Sequence, residues 1–162
     1  MSEREAREVY AVRRMLESYS AEEFTRRATD DEVTRLSQCV ARLLASGRKK
    51  SREGVLQAKA EFYEILLTGA GNGLVKDMLG GLLSRVSLLR GTSLMSPDRL
   101  PRSLEEIAAL LQCIRNRDAD GARRVAEKHV LNAEHAALAV LAGPSGGPAP
   151  ISPILTKGRT RT

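Results

Sequence analysis

Four side chains with chemical capability sit where the helical pattern around them is otherwise apolar. Lys59 and Tyr63 lie four residues apart and share a face with Leu56, Leu66 and Ala70, so both point inward or along a groove. Arg85 falls in the row Met78, Leu82, Arg85, Leu89, and His129 in the row Ala122, Val125, His129, Ala133, Ala136. A Lys, an Arg and a His are costly to bury unless they are paired, hydrogen-bonded or wet. Three such groups turned toward one core imply a solvated cavity, and a cavity rich in donors favours an anion. Each residue also has a plainer reading. Lys59 at a stripe edge can snorkel to water, His129 can be a satisfied core histidine, and Arg85 can pair with Glu61, Asp77 or Glu106.

Other constellations are ruled out by spacing. Gly69-Ala-Gly-Asn-Gly73 lacks the Gly-Lys-Ser/Thr ending of a phosphate loop and joins helix to helix. Nothing resembles a nucleophile elbow, a zincin helix or a paired-carboxylate site, so the chain is not expected to be an enzyme. Cys39 and Cys113 have no companion Cys or His at metal spacing and read as small core fillers. His135 lies off the face of His129 and belongs to the surface.

The elements that must position these groups are helices. Apolar residues recur every three or four positions before residue 142, and 162 residues suit one domain. The pattern predicts an all-α, antiparallel bundle of six or seven helices over 1–142. A first helix spans 3–18 and runs on, with a kink near Ser20, to about Ala28. Thr29-Asp30-Asp31 caps a second helix that stops at Gly47, and Ser51 caps a third that reaches Leu67 or Thr68. Gly69 to Asn72 then ends one helix and starts the next, which runs from about Gly73 to Arg90. A connection containing Pro97 and Pro101 follows. Ser103-Leu-Glu-Glu106 reads as a capping box opening a helix to about Asn116, and Asp118 opens the last, to about Ala142. Residues 143–162 hold four of the six prolines and four of the 13 glycines and read as a disordered tail.

Charge and composition narrow the partners. The net charge is +6, but the last twenty residues contribute Lys157, Arg159 and Arg161 with no acid, so the remainder carries only three more bases than acids. With five aromatic residues and no Trp, neither a phosphate-binding face nor a base-stacking platform is indicated. No apolar run is long enough to span a bilayer, and the charged N-terminus is unlike a signal peptide. A soluble cytoplasmic protein is the expectation.

The ordered markers Glu8-Val-Tyr-Ala-Val-Arg13-Arg-Met-Leu-Glu17, Ala28-Thr-Asp-Asp-Glu-Val-Thr-Arg-Leu36, Phe62-Tyr63 with Ala70-Gly-Asn72, Ser103-Leu-Glu-Glu106 and Asp118-Ala-Asp-Gly-Ala-Arg-Arg-Val-Ala-Glu-Lys-His129 make the sequence resemble a known family. It is similar, over about residues 6–141, to the FCD domain, the effector-binding half of FadR-type regulators in the GntR family of bacterial transcription factors. The resemblance implies an antiparallel six- or seven-helix bundle that dimerises. In many members it also implies a central divalent metal, held by one Asp and three His, that receives a carboxylate effector.

Here the Asp-x-x-x-His pair of the family falls on Lys59 and Tyr63, the third ligand position on Ile107, and only the fourth, His129, is kept. An ammonium in place of a carboxylate repels a cation and Ile107 has no lone pair, so no metal cofactor is expected. Lys59 is expected instead to act as a fixed charge, assisted by Arg85, Tyr63 and His129, with Arg13 on the first helix as a further wall residue. The ligand is then a small carboxylate or similar anion. The alternative is a structural dimerisation module whose centre has closed. A polar cavity above about 300 Å³ marks the sensor, and a dry, packed centre around Tyr63 and Ile107 marks the module. The family's winged helix-turn-helix precedes this domain, whereas Met1 lies directly before it. The expectation is a homodimer without operator contacts of its own, from a free-standing sensor or a truncated start.

Overall fold

Helix caps written into the sequence divide the chain. In the computed structural model, which describes residues 1–143, α1 spans Glu3–Arg27, α2 Asp30–Arg48, α3 Arg52–Gly69, α4 Gly73–Arg85, α5 Ser87–Leu94, α6 Arg99–Arg115 and α7 Ala119–Ala142. Ser2 with Glu5 and Thr29 with Glu32 form reciprocal capping boxes that satisfy the first free N–H groups of α1 and α2. Ser51, Asn72 and Asp118 cap α3, α4 and α7 through single side-chain acceptors. Gly71 adopts φ +76° in the turn between α3 and α4, the left-handed conformation expected of that glycine stretch.

The helices form an all-α antiparallel bundle. The long α1 packs most extensively along α7, α2 packs on α3 and α6, and α5 closes against α7. One apolar cluster holds Phe24, Leu36, Leu43, Phe62, Leu66, Ile107 and Ile114, and Cys39 is fully buried within it. Burial pushes the Cys39 thiol up to about 11, so it is an inert packing residue. A smaller cluster joins Val9, Tyr10, Val86, Val130 and Ala137. Among the described residues no helix is long and apolar enough to cross a membrane. The expectation of a disordered tail concerns residues beyond 143 and lies outside those described.

Three sequence expectations fare differently. First, α1 runs on past residue 18 to Arg27 as expected, and the Ser20 hydroxyl donates to the Leu16 carbonyl at 2.7 Å without ending it. Second, the helix expected over Gly73–Arg90 breaks at Val86 (φ −103°, ψ 11°) and resumes as α5. Gly80, Gly81, Ser84 and Ser87 make this segment a weak helix former, and the break lets Val86 bury against Val9, Tyr10 and Val130. Third, Ser103 does not cap α6. That helix starts at Arg99, because Pro101 falls in the first turn, where a missing N–H costs nothing.

Candidate functional site

Six helices, all but α2, contribute to a cavity of about 510 Å³ whose walls include members of both apolar clusters. Its polar wall begins on α1. There Arg13 and Glu17, one turn apart, form an ion pair at 2.8 Å, although they are only 1% and 3% exposed. Burial, the largest single influence, would raise the Glu17 pKa, but the Arg13 charge together with Arg90 and the Tyr63 hydrogen bond outweighs it and holds the carboxyl below its usual range. The Tyr63 hydroxyl on α3 donates to the other Glu17 oxygen at 2.8 Å, and burial beside that carboxylate pushes the phenol pKa up. The Arg13 guanidinium also stacks on the Tyr10 ring at 4.5 Å.

A second network lies toward α6 and α7. Arg99 clasps Glu106 with two parallel hydrogen bonds of 3.0 and 2.7 Å, a fork that seven-residue spacing on one helix makes possible. Asn132 donates to Glu106 at 2.7 Å, and the carboxylate accepts from Nδ1 of His129 at 2.5 Å. Although burial would raise the Glu106 pKa, the hydrogen bonds from His129 and Arg99 hold it down at about 2. With its Nδ1 proton committed to Glu106, His129 presents the Nε2 lone pair to Lys59, whose Nζ lies 3.2 Å away. Burial first, and the Lys59 charge second, lower the His129 pKa to about 4, so the ring is neutral at physiological pH.

Lys59 is the centre of the arrangement. It is 6% exposed, stands 5.4 Å from the Tyr63 ring centroid, and its hydrogen-bond partner among the described residues is the imidazole, not a carboxylate. Burial first, then the charge of Arg90, lower its pKa to about 7. Arg90 on α5 stacks on the Tyr63 ring at 5.3 Å and likewise pairs with no carboxylate among the described residues. Glu17 and Glu106, which lie just behind the wall, are thus taken up by Arg13 and Arg99, the wall acid Glu64 pairs with Lys76, and two positive wall groups, Lys59 and Arg90, are left over.

The sequence-predicted residues divide. Lys59, Tyr63, His129 and Arg13 all line the cavity. Arg85 does not: it stays in phase with Met78 on α4, but that side of the helix is exposed and Leu79 is its buried position, and Arg90 on α5 lines the cavity instead. None of the partners considered for Arg85 is paired with it. Glu61 bonds Arg42, Glu106 bonds Arg99, and Asp77 shows no ion pair among the described residues. Ile107 is 1% exposed in the apolar core and forms no part of the cavity wall. His135 is exposed on α7. Glu17, Arg90, Arg99 and Glu106 were not anticipated as site residues. Glu17 had a signal, an acid four residues after Arg13 on the buried row Ala6, Tyr10, Arg13, Glu17, Ala21, Phe24. Arg99 had none, since it sits between two prolines in what reads as a connection.

These donors do not fit a divalent cation. The Nε2 lone pair of His129 faces an ammonium, the Tyr63 oxygen is committed to Glu17, and Ile107 offers nothing. Among the described residues no group of three or more His, Cys, Asp or Glu is placed to hold an ion.

Comparison with known proteins agrees with the fold. Among solved structures the chain is similar to E. coli McbR/YncC, at 18% identity and a TM-score of 0.71, over 80% of this chain and 66% of that one. It is also similar to Streptococcus agalactiae GntR, at 20% identity and a TM-score of 0.70, over 82% of this chain and 58% of that one. This chain therefore spans less than two thirds of the length of either. No curated protein matches it. The family model described as FCD domain matches residues 8–132, most of the chain. The chain belongs to the FCD domain family, regulatory domains of GntR-type transcription regulators.

Proposed function

We propose that the cavity binds a small organic anion directly, without a metal ion, and that this ligand is the effector of a GntR-type regulator. One observation carries the reading. Three buried side-chain atoms have no hydrogen-bond partner among the described residues, Tyr10 Oη, Arg13 Nη1 and Ser103 Oγ, and all three belong to residues that line the cavity. Buried polar groups are nearly always satisfied, so unspent polar atoms on three residues that line one cavity call for partners brought from outside. The excess positive charge of Lys59 and Arg90 gives those partners their sign. A cavity of about 510 Å³ is also within the range of small-molecule sites, unlike the closed centre of a purely structural module.

The test is calorimetric titration of malonate, succinate and pyruvate into the wild type, Lys59→Met and Arg85→Ala. Loss of a charge-assisted hydrogen bond is worth about 1.5–3 kcal/mol, so Lys59→Met should weaken binding by about tenfold or more. Arg85→Ala should bind as the wild type does, and a chelator should change nothing. Equal binding by wild type and Lys59→Met would sink the proposal. The same reading takes the chain to be a homodimer, as its family resemblance implies. Leu74 and Met78 on α4 and Leu88 on α5, which are 70%, 48% and 81% exposed, support it as candidate contact residues. Sedimentation of the Leu88→Glu variant against the wild type tests that part.

A further inference from the structure

A fixed charge does not need a general base beside it, yet Lys59 has one. Its Nζ faces Nε2 of His129 at 3.2 Å, and the Nδ1 of the same ring is held by Glu106. Carboxylate, imidazole and nucleophile therefore follow one another in a line, the arrangement in which a third group orients a base and the base takes the nucleophile's proton. Here the nucleophile is an amine. It opens on a cavity large enough for a small ligand, with a phenol ring as its floor.

The surroundings keep that amine reactive. The groups that face it are Arg13 and Glu17 from α1, Tyr63 from its own helix α3, Arg90 from α5, Arg99 from α6 and His129 from α7. Three guanidiniums against one nearby carboxylate, in a buried site, disfavour a further positive charge. Lys59 accordingly titrates at about 7, and a large fraction of molecules carries the free amine at neutral pH. Arg90, which pairs with no carboxylate among the described residues, and the unspent Nη1 of Arg13 are left to hold a carboxylate beside it.

We propose that Lys59 forms a reversible Schiff base with the carbonyl carbon of a small oxo acid whose carboxylate is held by the cavity's arginines. The proposal rests on the anion-site reading and narrows it to one ligand class. The lone pair of Nζ attacks the carbonyl carbon, a C–N bond forms, and the C=O π electrons move to the oxygen. His129 takes the proton from nitrogen and returns it to that oxygen, giving a carbinolamine. A second proton, taken up from solvent through His129 and delivered to the hydroxyl, lets it leave as water while the nitrogen lone pair forms the C=N bond, leaving the protonated imine. Nothing is oxidised or reduced, and addition of water reverses the sequence. A ligand held this way is released slowly, which suits a sensor of a weakly binding metabolite.

Trapping with borohydride tests it. The chain is incubated with pyruvate or glyoxylate, reduced, and mapped by mass spectrometry, with Lys59→Met, Lys59→Arg and His129→Gln alongside. The expected result is one alkyl group, on Lys59, competed away by malonate and absent from both Lys59 variants. His129→Gln should slow its formation by about a hundredfold. If the buried-site variants fail to fold, the wild-type pH profile decides: labelling of Lys59 should rise with pH and level off above about 7. Labelling of the exposed Lys49 and Lys50 as fast as Lys59 would overturn the proposal. So would pyruvate that binds by calorimetry yet leaves no reducible adduct, with the anion site itself standing. If neither pyruvate nor malonate binds, the anion site falls and this inference with it.

Discussion

Tyr63 and Glu17 are 46 residues apart in sequence, yet the phenol of one donates a hydrogen bond of 2.8 Å to the carboxylate of the other in a fully enclosed site. The bond ties α3 to α1 and spends a Glu17 oxygen that Arg13 does not use. Glu17→Gln leaves the Arg13 charge buried without its counter-ion and should cost about 3–5 kcal/mol. Tyr63→Phe removes only the phenol donor and should cost about 1–3 kcal/mol. Urea denaturation of the two variants checks the order, and equal losses would show that the ion pair adds nothing beyond the phenol.

A plain carboxylate should bind with a definite pH dependence. Lys59 titrates at about 7 in the free protein, and a bound anion stabilises its charged form. Affinity for malonate should therefore be level below pH 7 and fall above it, by up to about tenfold per pH unit. Titration at pH 8 in buffers of different ionisation enthalpy should show proton uptake on binding. Lys59→Arg, which keeps its charge, should bind malonate with no such dependence. This slope runs opposite to that of oxo-acid labelling, so the two roles of Lys59 separate in one series of measurements.

Acid should loosen the fold in two stages. His129 titrates at about 4 when folded against 6.5 ordinarily, and Glu106 at about 2 against 4.5. In both cases the unfolded chain binds more protons than the folded one across the interval, so stability rises with pH and is lost as pH falls. The His129 contribution is complete above 6.5 and is lost as pH falls toward 4, and that of Glu106 is complete above 4.5 and is lost toward 2. His129→Gln should flatten stability between pH 6.5 and 4.5 and, by removing the imidazole's hydrogen bond to Glu106, shrink the lower stage to what Arg99 and Asn132 still hold. Thermal melts across that range give the comparison.

The bundle was legible because it rests on local rules. Thr29, Ser51, Asn72 and Asp118 cap the helices that their types announce, and the periodicity of Val33, Leu36, Val40 and Leu43 allows nothing but a helix. The site was legible only where a residue stays in phase with its own helix. Lys59, Tyr63 and His129 lie in the interior of unbroken helices, and all three reach the cavity. Arg85 keeps phase with Met78 on α4 as well, but the apolar row they share faces out while Leu79 faces in, and apolar side chains on both sides of that helix leave its inner face unmarked in the sequence. Arg99 and Glu106 were hidden for a different reason. A Pro in the first turn looks like a Pro in a loop, and a Ser three residues before a Glu looks like a cap whether or not the helix has already begun. Local pattern cannot separate these cases, because the choice depends on what lies across the bundle: the Arg99 fork exists for Glu106, and Glu106 exists for His129.

Two glycines should respond to alanine with opposite signs, and space decides which. At Gly69, the last residue of α3, an added Cβ would lie 2.5 Å from the Phe24 ring, and Phe24 is fully buried at the centre of the main apolar cluster. Neither ring nor backbone can move without disturbing the contact between α1 and α3, so Gly69→Ala should destabilise by about 1–3 kcal/mol as an overpacked site does. At Gly81, inside α4, an added Cβ meets nothing within 4 Å, and the residue is exposed. Gly81→Ala should there gain the helix propensity that glycine lacks, about 1 kcal/mol, by removing freedom from the unfolded chain. A stiffer α4 should also leave the break at Val86 in place, since that break is held by the burial of Val86 and not by the glycine. Anion affinity should then be unchanged in Gly81→Ala even as its melting temperature rises. A loss of affinity there would mean that α4 must flex to admit the ligand.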